Sequence, residues 1–119
     1  MQIVIESLLD GAKRASRSVA IIDVLRAFTT AAVALANGAS CFTMVGTVEV
    51  ALALRANGEA NVCIGEVGGR APPAFDFGNS PFELLPVGFR GRSVIQRTNA
   101  GTQGVAAAGR VIIFMLRHW

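Results

Sequence analysis

Several residue types that carry common catalytic chemistry are scarce in this 119-residue chain. Tyrosine is absent, His118 is the only histidine, and the only cysteines are Cys41 and Cys63. A lone histidine beside the last residue argues against Ser-His-Asp or Cys-His catalysis, and zinc has no ligands at a usual spacing. The two cysteines lie in strand-like segments without CxxC spacing, which predicts buried, inert thiols and a reducing compartment.

Long apolar runs and massed charge are also lacking. No apolar stretch approaches the ~20 residues needed to span a bilayer. Glu6 and Asp10 interrupt the N-terminal region before the apolar core of a signal peptide develops. The formal net charge is +3, but one lysine and ten arginines are scattered, with one tight group, Lys13, Arg14 and Arg17, in a predicted turn. We therefore expect a cytoplasmic protein with neither a membrane nor a nucleic-acid partner.

Patterns of strand and helix alternate along the chain, and 52% of its residues are apolar, enough to bury a core. The apolar patterns predict strands at residues 2–6, 19–25, 41–45, 61–66, 93–98 and 110–115. Helical patterns cover residues 26–37, 47–57, 80–85 and 102–108. Residues 8–18 read as a turn-rich connector, and residues 67–79 as a long loop rich in glycine and proline. This alternation predicts a single α/β domain over residues 1–119 with a mostly parallel sheet.

Polar clusters follow three of the predicted strands where the chain turns. The first pairs Asp23 with Arg26, the second runs from Glu66 to Ser80, and the third runs from Thr98 to Thr102. Right-handed crossovers bring the carboxyl ends of parallel strands to one edge, where ligands bind. We expect the clusters to meet there. Carboxylates, an arginine and glycine-rich turns together suggest a hard metal ion and a phosphate-like anion.

The first cluster allows several roles. Asp23 could bind Mg²⁺, attack phosphorus to form an aspartyl-phosphate, or cap the following helix. Arg26 could grip a phosphate or sulfonate through two parallel hydrogen bonds, with helix N–H groups beside it. Its alternative role is an ion pair with Asp23. The residues alone leave these alternatives open.

The second and third clusters also carry alternatives. Glu66 and Asp76 are candidate metal ligands or acid–base groups in a loop too long to be a plain connection. Asn79 and Ser80 could instead cap the next helical turn. The turn at 98–102 can present backbone N–H groups to an anion, or Thr102 can serve as a plain N-cap.

Three segments together resemble the 2-phosphosulfolactate phosphatases, a family linked to coenzyme M biosynthesis. They are "IDVLRAFTTAAVALANGA", "GEVGGRAPPAFDFGNSP" and "RTNAGTQGV", and the resemblance extends from about Ile3 to Val111. It implies a Mg²⁺-dependent phosphatase acting on a small, anionic, phosphorylated 2-hydroxy acid. On this basis we assign catalytic roles to Asp23, Arg26, Glu66 and Asp76, and metal binding to Asp23, Glu66 and Asp76. The substrate-binding residues it suggests are Thr29, Thr30, Asn79, Ser80, Thr98, Asn99, Gly101 and Thr102.

The chain also departs from the family pattern. Val67 stands where members of the family often have arginine, and Arg70 is a possible substitute. Family members are about twice as long, so we expect the chain to be an N-terminal half that needs a C-terminal half or a second copy. The apolar strand at Arg110–Met115 lacks a covering helix, which predicts poor solubility or oligomerisation. The alternative function is a non-catalytic, anion-binding remnant of the enzyme.

Overall fold

Helices and strands alternate through nearly the whole chain. The structure is a computed structural model that describes residues 2–16, 18–23, 25–108 and 111–114. In order, its elements are α1 (Leu8–Arg14), β1 (Val19–Ile22), α2 (Ala27–Ala36), β2 (Cys41–Met44), α3 (Val48–Ala56), β3 (Val62–Gly65), α4 (Pro81–Leu84), β4 (Ser93–Arg97), α5 (Gly101–Ala107) and β5 (Val111–Phe114).

Every pairing between the strands that the structure describes is parallel. β4 is the central strand of a three-stranded sheet and pairs with β2 on one side and β3 on the other. β1 and β5 form a separate parallel pair, and α5 packs against β1, β2 and β4. These pairings confirm the predicted α/β fold. They also place the carboxyl ends of β2, β3 and β4 at one edge of the sheet.

Helices cover both faces of the three-stranded sheet. Successive side chains of a strand point to opposite faces, so Val94 and Ile95 of β4 enter different cores. The core under α2 and α4 contains Ala34, Val62, Ile64, Leu84, Phe89 and Val94. The core under α3 contains Val45, Ala51, Ala60, Cys63, Phe75 and Ile95. All four residues of β3 are buried, as expected for a strand covered on both sides.

The boundaries of α2 and α3 follow local sequence signals, because Thr47 is a favourable N-cap residue and Asn37-Gly38 is a favourable helix end. The Thr47 hydroxyl accepts a hydrogen bond from the backbone N–H of Val50 (3.2 Å) and so caps α3. Gly38 follows α2 with φ +99°, a conformation that favours glycine. The Asn37 side chain donates to the carbonyl of Leu84 (2.9 Å), which ties the end of α2 to α4.

Residues 2–14 differ from expectation. Residues 2–6 form no strand, and Ile3 and Ile5 are exposed. A strand needs a neighbour for its backbone groups, and in the described residues β1 pairs only with β5. Residues 8–14, predicted as a turn-rich connector, form α1. Glu6 and Arg14 form an ion pair beside it (2.7 Å).

The predicted burial also needs correction at two positions. Cys63 is fully buried, as predicted, but Cys41 is exposed, so the prediction of an inert buried thiol is wrong there. The reason is that β2 is an outer strand with alternate residues facing solvent. On α2, the helical spacing of Phe28, Ala31, Ala32 and Leu35 predicts one core-facing side. Leu35 is instead exposed, and Ala34 is buried.

The C-terminal strand is described in part. Val111–Phe114 pairs with β1, which confirms a strand within the predicted range. Its side chains, together with residues 109, 110 and 115–119, lie outside the described residues, so exposure of this strand stays a prediction. Among the helices that the structure describes, none has both the length and the apolarity to cross a membrane.

Candidate active site

A cleft of about 330 Å³ opens at the carboxyl edge of the three-stranded sheet. It lies where the start of α2, the turn after β3 and the start of α4 come together. Its lining residues are Arg26, Glu66, Gly69, Ala71, Gly78, Asn79, Ser80, Phe82 and Glu83. The cleft therefore gathers four of the predicted site residues, Arg26, Glu66, Asn79 and Ser80.

Glu66 is the most firmly held of these side chains. It follows β3 directly, and Gly65 before it has φ +139°, where a Cβ would overlap the carbonyl oxygen of Arg97. Glu66 is 7% exposed. Its Oε2 accepts from the N–H of Gly69 (2.7 Å) and its Oε1 from the N–H of Asn99 (2.8 Å). A carboxylate has about four acceptor sites, so the oriented group can still accept a metal ion or a donor.

The turn after Glu66 is tight and rich in glycine. Val67 and Arg70 exchange backbone hydrogen bonds of 2.9 and 3.2 Å. Gly68 and Gly69 between them have φ +59° and +82°. Positive φ at both central residues is the signature of a two-residue type I′ turn. Arg70 is exposed next to two lining residues, and its role as a substitute arginine stays a prediction.

Arg26 has a strained backbone. Its φ is +77° and its ψ −63°, and the N–H of Ala27 donates to the carbonyl of Leu25 across it (3.2 Å). This is the γ-turn with positive φ, which is rare outside glycine. The Arg26 side chain is exposed at the cleft. The ion pairs among the described residues do not include it, so the alternative pairing with Asp23 does not form.

Asp23 approaches the turn that starts α5. A Cβ at Gly101 would lie 2.5 Å from the Asp23 Oδ2 and 2.9 Å from the Ala27 Cβ, so a side chain there would displace the Asp23 carboxylate. Burial raises the pKa of the Asp23 carboxyl, while the N–H groups of Leu25 and Gly101 and the charge of Arg26 act against that rise. The same turn contacts Glu66 through Asn99. The three polar clusters therefore meet as predicted, although Asp23 follows β1 of the separate β1–β5 pair and not a strand of the three-stranded sheet.

The predicted threonines shape this region in different ways. Thr98 and Thr102 are buried and bond to each other: the Thr102 Oγ1 accepts from the Thr98 N–H (2.7 Å) and donates to the Thr98 carbonyl (2.9 Å). Thr102 is thus not the N-cap of α5, which is Ala100. Thr29 is exposed in the first turn of α2. Thr30 is fully buried, and its hydroxyl has no partner among the described residues.

Asp76 lies apart from the cleft. Its loop runs parallel to β3, and the Asp76 N–H donates a hydrogen bond to the carbonyl of Cys63 (2.8 Å). The Asp76 Oδ2 accepts from the Arg55 guanidinium (3.1 Å) and from the Cys63 N–H (2.8 Å). This position is beside the middle of β3, not at its carboxyl end. In the described part of the chain, no three His, Cys, Asp or Glu side chains are arranged to hold a metal, and metal binding by Asp76 stays a prediction.

Comparison with known proteins identifies the family. A family model described as 2-phosphosulpholactate phosphatase matches residues 4–116. The chain belongs to the 2-phosphosulpholactate phosphatase family. It is 45% identical over 92 residues to a protein of Thermus thermophilus and 44% identical over 82 residues to one of Deinococcus radiodurans, both named "Probable 2-phosphosulfolactate phosphatase". The alignments cover 77% and 69% of this chain but 38% and 34% of the relatives, so the match spans less than half their length.

Three candidate functional residues of this family member were not predicted from the sequence. Glu83 lines the cleft, and its Oε2 accepts from the Gly78 N–H (3.0 Å). Arg97 donates to the carbonyl of Glu66 (2.8 Å) and so supports that residue. Gln96 is fully buried in β4 and bonds to Asn79 (3.0 Å). For Gln96 and Arg97, the available signal was a polar pair directly after the apolar Val94 and Ile95 in the central strand "SVIQR".

Proposed function

We propose that the protein hydrolyses a small phosphorylated 2-hydroxy acid of the 2-phosphosulfolactate type, releasing phosphate with the help of Mg²⁺. Family membership and the names of the relatives support the reaction class. The observation that carries the proposal is the cleft itself. Its lining combines Arg26, which takes part in none of the described ion pairs, with Glu66, a buried glutamate that is held by two backbone N–H groups.

The charge of the cleft supports the need for a cation. Its lining has one arginine and two glutamates, a formal net charge of −1. A phosphate monoester carries about −1.5 to −2 charges at neutral pH, so the cleft alone would not hold one well. Mg²⁺ takes oxygen ligands, usually one or two carboxylates with phosphate oxygens. The lining offers carboxylate, amide and hydroxyl oxygens and no sulfur or imidazole, a donor set that fits Mg²⁺.

Glu66 and Asp23 are the carboxylates that we propose for Mg²⁺, because the turn at 98–102 contacts both. Bound Mg²⁺ would polarise the phosphate oxygens as a Lewis acid. Arg26 would bind the phosphate or sulfonate through two parallel hydrogen bonds. Asn79 and Ser80 would orient the rest of the substrate. Ser80 starts α4 without a side-chain cap bond, which leaves its hydroxyl available.

Phosphate release by the purified protein tests this proposal. We expect release from 2-phosphosulfolactate with Mg²⁺, loss of release in chelator, and recovery when Mg²⁺ returns. Glu66→Gln should abolish the Mg²⁺-dependent rate. Glu59→Gln is the matched control, since Glu59 is exposed beyond the end of α3.

Two results would count against the proposal. Full activity in metal-free buffer would show that the reaction does not need Mg²⁺. Phosphate binding without release would instead favour a non-catalytic anion-binding protein.

A further inference from the structure

A buried amide in the central strand connects two parts of the cleft. Gln96 lies in β4 and is 0% exposed. Its Nε2 donates to the carbonyl of Ala27 (2.9 Å) and to the Oδ1 of Asn79 (3.0 Å). Ala27 follows Arg26 directly, and Asn79 lines the cleft. One side-chain amide therefore joins the γ-turn of α2 to the loop before α4.

The stability of the fold does not account for this amide. The Gln96 Oε1 is buried and has no partner among the described residues. An unpaired buried acceptor destabilises a protein, and an apolar side chain of similar shape would avoid that cost. The neighbours of Gln96 on the same face of the sheet, Val94 and Ile64, are apolar. A polar residue at this position is better explained by what it contacts.

The contacts of Gln96 also fix which way Asn79 faces. The carbonyl of Ala27 only accepts hydrogen bonds, so the Gln96 NH₂ must point toward it. The same NH₂ then needs an acceptor from Asn79, which turns the Asn79 Oδ1 toward the core. The Asn79 Nδ2 donates to no acceptor among the described residues. Its N–H groups are thus left to donate to an anion.

We propose that Gln96 is a positioning residue of the phosphatase site. It sets the spacing between the strained turn that carries Arg26 and the amide of Asn79, and it orients that amide as a donor. Gln96 does not line the cleft and acts through these two residues. The inference rests on the proposed function for the reaction itself, whereas the orientation of Asn79 can be tested without turnover.

The first test replaces Gln96 by methionine, which has a similar volume and no N–H donors. We expect Gln96→Met to lower kcat/KM for the phosphorylated substrate by about 10–100-fold, because small displacements of positioning groups are costly. Val94→Ala is the matched control on the same strand and face, and it should lower Tm and leave kcat/KM unchanged. Asn79→Ala should add little in the Gln96→Met background, since coupled residues are not additive. The proposal fails if Gln96→Met lowers Tm but changes kcat/KM less than twofold.

The second test needs neither a folded variant nor turnover. The side-chain NH₂ signals of Gln96 and Asn79 are followed by NMR in the wild-type protein as inorganic phosphate is added with Mg²⁺. We expect both signals to shift with one Kd. Phosphate binding that shifts neither signal, or only that of Asn79, would overturn the role of Gln96. If both shift but no phosphorylated hydroxy acid is hydrolysed, the proposed function fails and the orienting role stands.

Discussion

Arg26 combines a strained backbone with an exposed charge at the cleft. A residue in a sparsely populated region costs about 1–3 kcal/mol, and such strain collects at functional sites. Since glycine adopts positive φ readily, Arg26→Gly should raise the free energy of unfolding by about 1 kcal/mol and abolish activity. Arg26→Lys keeps the strain and the charge but loses the planar, two-pronged contact. We expect it to cost about 1.5–3 kcal/mol in kcat/KM with little change in stability.

Denaturant titrations and steady-state kinetics on the two variants check this prediction together. Two results would contradict it. Unchanged kinetics in Arg26→Lys would mean that only the charge matters, and a less stable Arg26→Gly would mean that the γ-turn is held by the side chain.

The two cysteines should differ in reactivity. Burial raises the pKa of the Cys63 thiol, Arg55 acts against the rise and Asp76 adds to it. The thiol therefore stays protonated to higher pH than an ordinary cysteine, and the thiolate is the reactive form. Cys41 is exposed. We expect maleimide at neutral pH to label Cys41 alone in the native protein and both residues in denaturant. Native Cys41→Ser should take up no label, and fast labelling of that variant would contradict the burial of Cys63.

At the scale of elements, the junction of β3 with Glu66 depends on one glycine. Gly65 has φ +139° and no space for a side chain, because a Cβ would meet the backbone of Arg97. Gly58 after α3 also has positive φ (+78°), but nothing lies within 4 Å of its Cβ position. Gly58→Ala should thus cost only backbone strain, about 1 kcal/mol. Gly65→Ala should cost about 3 kcal/mol or more, since β3 and β4 must also separate.

Thermal unfolding of the two alanine variants measures the difference. Because Glu66 is held from the turn on one side and from Asn99 on the other, Gly65→Ala should also weaken Mg²⁺-dependent activity in the folded fraction. Equal losses of stability in the two variants would contradict the steric argument at Gly65.

Most elements were predictable because their signals are local. The helix α2 has an apolar face and an Asn-Gly stop, and α3 has a threonine cap, so both were predicted within about one residue of their observed ends. The predictions for residues 2–6 and 8–14 were wrong, since the first segment forms no strand and the second forms α1. An apolar run such as "QIVIE" becomes a strand only if another strand receives its hydrogen bonds, and that depends on distant parts of the chain.

The candidate site was predictable to the extent that it follows from topology. Parallel pairing of β3 and β4 brings Glu66 and Asn99 to one edge of the three-stranded sheet whatever their side chains do. Asp23 reaches the same turn from the end of β1, which belongs to the separate β1–β5 pair. The path of a long loop is not set in this way. Asp76 and Asn79 belong to the same loop, yet one bonds to Arg55 beside β3 and the other lines the cleft. Gln96 was missed because a buried amide is recognised by its partners, which lie 69 and 17 residues away.

At the scale of the whole molecule, the overall charge and the cleft charge have opposite signs. The chain carries a formal net charge of +3, which favours the approach of an anion over long range. The cleft lining carries −1, which opposes an anion at short range. A divalent cation would offset this negative charge. Mg²⁺ and phosphate should therefore each strengthen the binding of the other.

We expect the binding of Mg²⁺ and the binding of phosphate to be coupled reciprocally. Linkage requires that Mg²⁺ change the affinity for phosphate by the same factor as phosphate changes the affinity for Mg²⁺. We expect a factor of about 10–100, within the usual range of coupling free energies of 1–3 kcal/mol. Calorimetric titration of inorganic phosphate with and without Mg²⁺, and the reverse titration, measures both sides. In Glu66→Gln the coupling factor should fall toward one, whereas in Glu59→Gln it should equal that of the unmodified protein. Equal phosphate affinity with and without Mg²⁺ in the unmodified protein would show that the metal does not share the phosphate site.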